Sequence, residues 1–426
     1  MAAEITAERE GDTVVVMGRV GDVRDLGGIK FFILHDASGS VQITAPKQKT
    51  DSRVLERISS LTQESSVAVR GRVVRASQAP RGVEIIPSEI RILNLAQTPL
   101  PLDPLGRVPA NLDTRLDARP LDLRREEVRA IFRIRNIALQ AIRERLLSLG
   151  FIEVHTPKIV ATATESGAAL FPISYFEREA FLGQSPQLYK EVLTGAFERV
   201  FEVGPIFRAE EHDTTYHLNE AISIDVEMAY ATASDVMDIL EDLIVRAFRA
   251  VAERCSSELE LLSHELHIPD TPFPRLTYSE VLERLERAGV RVPWGEDLPT
   301  PALRKLGELV GGAYFIVDWP LEIKPFYTMP KGEDPRLSES FDLMFDWLEL
   351  ASGGTRIHQY ELLVQRLKAK GLNPESFKSH LLSYRYGLPP HAGWGLGLDR
   401  LTMVLTGREN IRECVLFPRD RRRLTP

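Results

Sequence analysis

Three stretches of this chain set charged or small residues where chemistry on an anionic substrate could use them. The first is FEVGPIFRAEEHDTTYHLNEAISIDVEMAY, Phe201 to Tyr230. Strand side chains alternate with period 2, so Phe201, Val203, Pro205 and Phe207 face one way while Glu202, Ile206, Arg208 and Glu210 face the other. After a polar loop the phase repeats, with Ile222, Ile224, Val226 and Met228 apolar and Ser223, Asp225 and Glu227 opposite. This predicts an antiparallel hairpin with one apolar and one charged face, and a solvated charged face is its plainest reading. The second stretch is GWGLGLDRLTMVLTG, Gly393 to Gly407. Glycines 393, 395 and 397 on one strand face leave room for a flat ring or a phosphate to approach the backbone. Arg400 then falls in the first turn of a helix expected from Leu398, where free N–H groups and the helix dipole favour an anion. A glycine strand packed tightly on a helix would read the same way. The third is FDLMFDWLELASGGTRIH, Phe341 to His358. A two-residue turn at Phe345-Asp346 would set Asp342 opposite Glu349, about 5 Å apart at Cβ. Such carboxylates repel unless a cation sits between them, and Mg²⁺ is commonly held by one or two carboxylates plus nucleotide phosphates. The turn lacks the glycine or asparagine that favours it.

The elements that would position these residues follow from patterning. From Thr13 to about Leu95 short β-rich runs are broken at Gly27-Gly28 and Ser38-Gly39, with one helix expected from Asp51 to Leu61. Four or five strands and one helix suggest an OB-fold barrel, whose strands bind oligonucleotides. Five prolines from Pro99 to Pro120 mark a hinge. Glu126 to Leu149 is a helix with Val128, Ile131, Phe132, Ile134, Ile137 and Leu139 on a broad apolar stripe, stopped by Gly150. FIEVHTPKIV reads as a strand interrupted by Pro157, Ser234 to Arg254 as a helix, and Leu276 to Gly289 as another. The domains are thus expected at 1–104 for the barrel, 105–125 for the hinge and 126–426 for the rest.

With 426 residues the chain can hold two or three cores. A net charge of −8 excludes a wholly basic nucleic-acid binder but not a local basic stripe. Cys255 and Cys414 fit no metal or redox spacing, and a reducing cytoplasm is the default expectation. MAAEITAEREGD is not expected to be a signal peptide, and no run approaches a membrane span of roughly 18 to 20 apolar residues.

FRAEEHDTTYHLNE resembles motif 2 of the class II aminoacyl-tRNA synthetases in their archaeal-type aspartyl branch, and GWGLGLDRLTMVLTG resembles motif 3. Helix 126–149 followed by a strand and proline resembles motif 1, which implies a homodimer. The resemblance spans the chain and implies an α+β protein: an N-terminal OB-fold barrel followed by a class II catalytic domain on an antiparallel sheet flanked by helices. It implies catalytic and ATP-binding roles for Arg208 at the α-phosphate and Arg400 at the γ-phosphate. Glu210 would recognise adenine, His217 would lie near the γ-phosphate, and Asp342, Glu349 and Ser352 would hold Mg²⁺–ATP. SPQLYKE, Ser185 to Glu191, is similar to the aspartate form of a segment that differs in asparaginyl enzymes. With Arg356, Lys190 would set two positive charges around the substrate side chain, which favours a carboxylate over an amide. Gln187, Asp225 and Glu165, the last in ATATESGAALF, would surround the α-amino end, with Ser352 nearby.

In the barrel the resemblance makes Phe31, Gln42 and Glu84 anticodon readers, one stacking a base and two reading base edges. Two positions linked to tRNA choice are Gly21 and Pro80; Gly21 matches no pattern, and Pro80 leans towards an enzyme confined to tRNA(Asp) rather than one also accepting tRNA(Asn). The expected activity is ligation of L-aspartate to tRNA using ATP, with no proton-transfer residue because the substrate carboxylate is itself the nucleophile. An asparaginyl enzyme is the nearest alternative, opposed by Lys190. A non-catalytic synthetase-like RNA-binding protein is the other, opposed by the presence of Arg208, Arg400 and the carboxylate pair. The basic run Arg419 to Arg423 reads equally as a nucleic-acid patch or as internal ion pairs.

Overall fold

The computed structural model describes residues 1–161, 170–211 and 214–426, which fall into two units, Met1–Pro101 and Leu102–Pro426. The first unit contains β1 (Thr13–Asp25), β2 (Ile29–Asp36), β3 (Gly39–Pro46), α1 (Ser52–Ser59), β4 (Ser66–Arg75) and β5 (Val83–Asn94). Its strands close into a barrel in the order β1-β2-β3-β5-β4. Period-2 alternation decides which side chains fill it: Val14, Val16, Phe32, Leu34, Ile43 and Ile85 are buried, while Val15 and Met17 are exposed. Asp51 caps α1 by accepting from Arg53 N at 2.8 Å.

The second unit opens with α2 (Leu112–Asp117) and α3 (Arg119–Asp122), which correct the reading of 105–125 as a hinge. Pro120 lies in the first turn of α3, where a helix tolerates proline. Arg119, 0% exposed, anchors the segment by donating to Asp122 Oδ2 at 2.6 Å and to the carbonyls of Val415 and Leu416 at 2.7 and 2.9 Å. α4 (Glu126–Ser148) buries Val128, Ile131, Ile134, Ala138, Ile142 and Leu146, and Gly150 follows with φ +80°. The strand expected across FIEVHTPKIV is split around Pro157 into β6 (Ile152–Glu153) and β7 (Ile159–Val160), which join different sheets.

β8 (Pro172–Tyr175) and β9 (Arg178–Leu182) complete a small sheet with β7. Then come α5 (Gln187–Phe197), β10 (Arg199–Phe207), β11 (Glu220–Ala229), α6 (Ala233–Arg254), α7 (Ser256–Leu261) and β12 (Arg275–Thr277). Thr277 accepts from Glu280 N, so the helix read from Leu276 begins two residues later as α8 (Tyr278–Arg287). The remaining elements are α9 (Thr300–Val310), β13 (Ala313–Val317), β14 (Ser340–Phe345), β15 (Leu348–Thr355), α10 (Tyr360–Ala369), α11 (Lys378–Arg385), β16 (His391–Gly397) and α12 (Leu398–Thr406).

The large sheet runs β12-β13-β14-β15-β16-β11-β10-β6. Its inner pairings are antiparallel, and β12–β13 and β10–β6 at the two margins are parallel. Phe201 pairs with Val226 and Val203 with Ile224, which brings the two apolar faces that the alternation predicts to one side of the sheet. These side chains join Ile134 of α4, Leu240 and Phe248 of α6 and Trp394 of β16 in one core. The opposite side of β11 carries its charges.

Candidate active site

That charged side is not solvated, which corrects the plain reading of the hairpin. Glu202, Asp225 and Glu227 are buried, and a cavity of about 380 Å³ opens beside Asp225. Arg208, Glu210 and His217 reach it from the β10–β11 connection, and Glu349 and Arg400 from β15 and α12. Gln187, Asp225, Ser352 and Arg356 line the same cavity. Glu165 lies outside the described residues.

The three glycines of β16 do different work. A Cβ on Gly393 would sit 2.1 Å from Val226 O and 2.2 Å from Glu227 Oε2, so that glycine admits the protein's own strand and carboxylate. On Gly395 it would lie 3.1 Å from Asp225 Oδ1, whereas on Gly397 it meets nothing nearer than 3.8 Å. Gly395 and Gly397 line the cavity.

α5 buries Gln187, Lys190, Glu191 and Thr194, the i, i+3, i+4, i+7 face of a helix. Lys190, 2% exposed, donates from Nζ to Asp225 Oδ1 and Trp394 O, both at 3.0 Å, and lies 3.4 Å from Glu227 Oε2. Arg356, 4% exposed, donates from Nε to Glu227 Oε1 at 3.0 Å and holds Nη2 3.5 Å from Gln187 Oε1. Its guanidinium also sits 5.5 Å from the Tyr327 ring centre. Burial works against its charge, but Glu227, Tyr327 and Glu191 together raise the Arg356 pKa. Glu227 therefore ties Lys190 to Arg356. Strand parity had placed Glu227 on the charged face without giving it a role.

Arg400, in the first turn of α12, donates to Tyr216 O at 3.3 Å and Glu349 O at 2.9 Å. The neighbouring Asp399 fixes that helix end by accepting from Ile222 N at 2.9 Å and from Arg135. His217 is not a solvent-exposed loop histidine: its Nδ1 contacts Thr214 Oγ1 at 2.8 Å and its Nε2 lies 3.7 Å from Glu210 Oε2. Tyr216, unassigned from sequence, packs edge-on against Trp347 at 5.1 Å and bonds Thr300 Oγ1 at 2.7 Å.

The expected pairing of Asp342 with Glu349 is corrected. The turn is Asp346-Trp347, Phe345 pairs with Leu348, and a bulge then sets Asp342 across from Ser352 and Glu349 across from Met344. Asp346 takes the left-handed conformation, φ +51°, which aspartate tolerates. Its backbone and side chain bond Gly312 O and N at 2.8 and 2.7 Å, so tertiary contacts place the turn. Asp342 Oδ2 accepts from Lys324 Nζ at 2.8 Å, while its buried Oδ1 has no hydrogen-bond partner. Burial raises the Asp342 pKa, Lys324 opposes that, and Glu349 adds repulsion. An unpartnered carboxylate oxygen, a facing hydroxyl and a second carboxylate fit a divalent cation. Among the described residues no cluster of three or more His, Cys, Asp or Glu side chains converges, and a nucleotide-bound Mg²⁺ does not require one. Lys324 had no signal in the sequence, lying in a loop beside the Trp319 ring at 4.3 Å.

In the barrel unit, Phe31, Gln42 and Glu84 are half-buried on the outside of β2, β3 and β5, and the neighbouring Phe32 fills the core. Gln42 pairs with Ile33 and Glu84 across the strands and donates to Glu84 Oε2 at 3.0 Å. Arg24 stands 6.0 Å from the Phe31 ring centre. Pro80 is exposed between β4 and β5. Gly21 is buried in β1, and a Cβ there would meet His35 Nε2 at 2.9 Å. In the terminal run, Arg423 pairs with Asp117 at 2.7 Å and Arg421 bonds Glu211 O at 3.0 Å.

Residues 111–421 match the family described as class II tRNA synthetases (D, K and N), and residues 14–93 match the OB-fold nucleic acid binding domain. The chain is 58% identical to an aspartate–tRNA(Asp/Asn) ligase of Archaeoglobus fulgidus, covering 100% of this chain and 99% of the relative. It is 56% identical to a protein of the same name from Methanopyrus kandleri, covering 100% and 98%. Among solved structures it resembles the Pyrococcus horikoshii asparaginyl-tRNA synthetase complexed with asparaginyl-adenylate, with TM-score 0.94, 32% identity and coverage of 99% and 98%. The aspartyl-tRNA synthetase of Entamoeba histolytica matches with TM-score 0.87 and 34% identity, over 100% and 92%. Taken with the barrel and the charged cavity over its large sheet, these likenesses make the chain a member of the class II aminoacyl-tRNA synthetases of the aspartate, lysine and asparagine group.

Proposed function

We infer that this protein is an aspartate–tRNA ligase that activates L-aspartate with ATP and transfers it to tRNA(Asp) and tRNA(Asn). The observation that carries the amino-acid choice is the buried pair of Arg356, which lines the cavity, and Lys190, which bonds the cavity-lining Asp225, joined through Glu227. A guanidinium and an ammonium group suit a side-chain carboxylate better than an uncharged amide. Asp225 and Gln187, which line the cavity, would receive the α-amino end. In activation the substrate α-carboxylate oxygen forms a bond to the α-phosphorus while the bond to pyrophosphate breaks, and no proton moves. Arg208 at the α-phosphate and Arg400 at the γ-phosphate would stabilise the charge that builds there. Glu210 and His217 would hold the adenine and phosphate ends. Asp342, Glu349 and Ser352 would hold Mg²⁺, which supplies charge neutralisation to the nucleotide phosphates. Phe31, Gln42 and Glu84 would read the anticodon. A homodimer and a cytoplasmic location complete the reading; among the described residues no helix is long and apolar enough to cross a membrane.

The lean from Pro80 towards tRNA(Asp) alone is dropped, because relatives at 58% and 56% identity carry names that include both tRNAs. The test is aminoacylation of tRNA(Asp) and tRNA(Asn) transcripts with labelled aspartate and, separately, asparagine. Aspartate on both transcripts is expected, and aspartate on one alone restores the discriminating reading. The likeness to an asparaginyl enzyme at TM-score 0.94 keeps asparagine in the test; its transfer would overturn the role of Lys190.

A further inference from the structure

Behind Lys190 on α5, Glu191 is completely buried and faces two histidines from elsewhere in the chain. His380 of α11 and His391 of β16 place Nε2 3.5 Å and 3.9 Å from Glu191 Oε2. Their other ring nitrogens face backbone carbonyls: His380 Nδ1 lies 3.2 Å from Leu188 O and His391 Nδ1 2.8 Å from Pro389 O. A carbonyl only accepts, so both Nδ1 atoms carry protons, and a neutral ring would aim its Nε2 lone pair at a carboxylate. A proton on Nε2 turns that repulsion into a charged contact.

The charge balance asks for the same proton. Asp225, Glu227 and Glu191 are buried here against Lys190 and Arg356, and an uncompensated charge in a low-dielectric interior is costly. One histidinium restores neutrality. The groups that face His391 are Glu191 from α5, Glu227 from β11, Arg356 and His358 beyond β15, and Tyr384 and His380 from α11. Burial opposes its protonation, but Glu191 and then Glu227 hold its pKa above the ordinary histidine value. The same burial opposes ionisation of Glu191, and the two histidines nevertheless hold its carboxyl well below the usual range.

Glu191 also reaches forward to the cavity. Its Oε1 accepts from Gln187 Nε2 at 2.5 Å, which turns Gln187 Oε1 towards Arg356 Nη2, and Oε2 accepts from the Tyr384 hydroxyl. We propose that Glu191 is a positioning residue for the amino-acid substrate, orienting Gln187 and Arg356, and that a proton on His391 keeps it in place. This rests on aspartate being the substrate. Above the raised histidine pKa the proton leaves, the cluster gains an unbalanced negative charge, and aspartate binding weakens.

The test is aspartate-dependent ATP–pyrophosphate exchange between pH 6 and 8.5 with the full-length protein and its Glu191→Gln and His391→Asn variants. For the unaltered protein the aspartate KM is expected to be lowest at acid pH and to rise as pH passes the histidine transition, with kcat and the ATP KM changing little. Glu191→Gln is expected to raise the aspartate KM about tenfold at acid pH and to flatten its pH dependence. An aspartate KM that is flat with pH in the unaltered protein, or unchanged in Glu191→Gln, overturns the proposal. If Glu191→Gln fails to fold, His391→Asn decides: a flattened KM profile supports the proton on His391, and an unaltered profile refutes it. Absence of aspartate-dependent exchange in the unaltered protein would instead refute the aspartate reading itself.

Discussion

The two halves of the cavity hold their cations in opposite ways. Around Lys190 and Arg356 the charges are buried and already matched, with Asp225 and Glu227 as direct partners and Trp394 O completing the Lys190 contacts. Arg400 has a side chain 21% exposed and is aimed by two backbone carbonyls, with the Glu349 carboxylate farther off at 3.9 Å and itself 45% exposed. The difference separates two tasks. A buried, cross-paired network selects a substrate, because only a ligand of matching charge leaves every member satisfied. A cation directed by carbonyls keeps its charge available for phosphate oxygens whose charge grows during the reaction.

Removing one cation from each half should therefore give different signatures. Lys190→Ala strands Asp225 and leaves Glu227 with Arg356 alone, and is expected to cost about 3–5 kcal/mol of folding stability as well as aspartate-dependent exchange. Denaturant melts with exchange assays check this, and a variant as stable as the parent would show that the network is not what holds that half together. Arg400→Ala is expected to lower kcat by about 10²- to 10³-fold while changing stability by less than about 1 kcal/mol, since the Tyr216 and Glu349 carbonyls can return to water. A large stability loss there would erase the distinction between the halves. Glu349→Gln is expected to act more mildly, raising the Mg²⁺ concentration needed for half-maximal exchange about tenfold. Titrating Mg²⁺ at fixed ATP measures it, and an unmoved midpoint would leave Asp342 and Ser352 to hold the ion without Glu349.

Local pattern and long-range placement were legible to different degrees. The barrel strands, the α4 stripe, the face alternation of β10 and β11 and the start of α12 follow from periodicities that each segment carries within itself, and all are found. Features set by distant partners were not readable. The turn after β14 moved because Gly312 binds Asp346, and the supposed hinge is helical in its second half, where Arg119 reaches the carbonyls of Val415 and Leu416. The Glu191, His380 and His391 cluster joins three elements whose sequence neighbours are unremarkable. Lys324 similarly meets Asp342 only through the fold. Burial of the charged β11 face was invisible for a simpler reason: alternation says which residues share a face, and α5, which covers that face, lies in another part of the pattern.

The barrel gives the smallest expected effect and the cleanest separation from the cavity. Phe31 projects from the outer face of β2 with Arg24 beside its ring, and Gln42 and Glu84 are bonded to each other on the adjoining strands. A stacked base loses about 1–3 kcal/mol when its aromatic platform is removed, so Phe31→Ala is expected to raise the tRNA KM about tenfold in aminoacylation. Exchange measured without tRNA should be unchanged, because Phe31 belongs to the barrel unit and the cavity to the other. Gln42→Ala sharpens the point: it removes the amide and leaves Glu84 its Thr44 hydroxyl partner at 2.6 Å. If Gln42 reads a base edge, its loss should change the ratio of activity on tRNA(Asp) and tRNA(Asn) transcripts, whereas loss of Phe31 should weaken both equally. An equal effect of both variants on both transcripts would reduce the patch to general single-strand affinity.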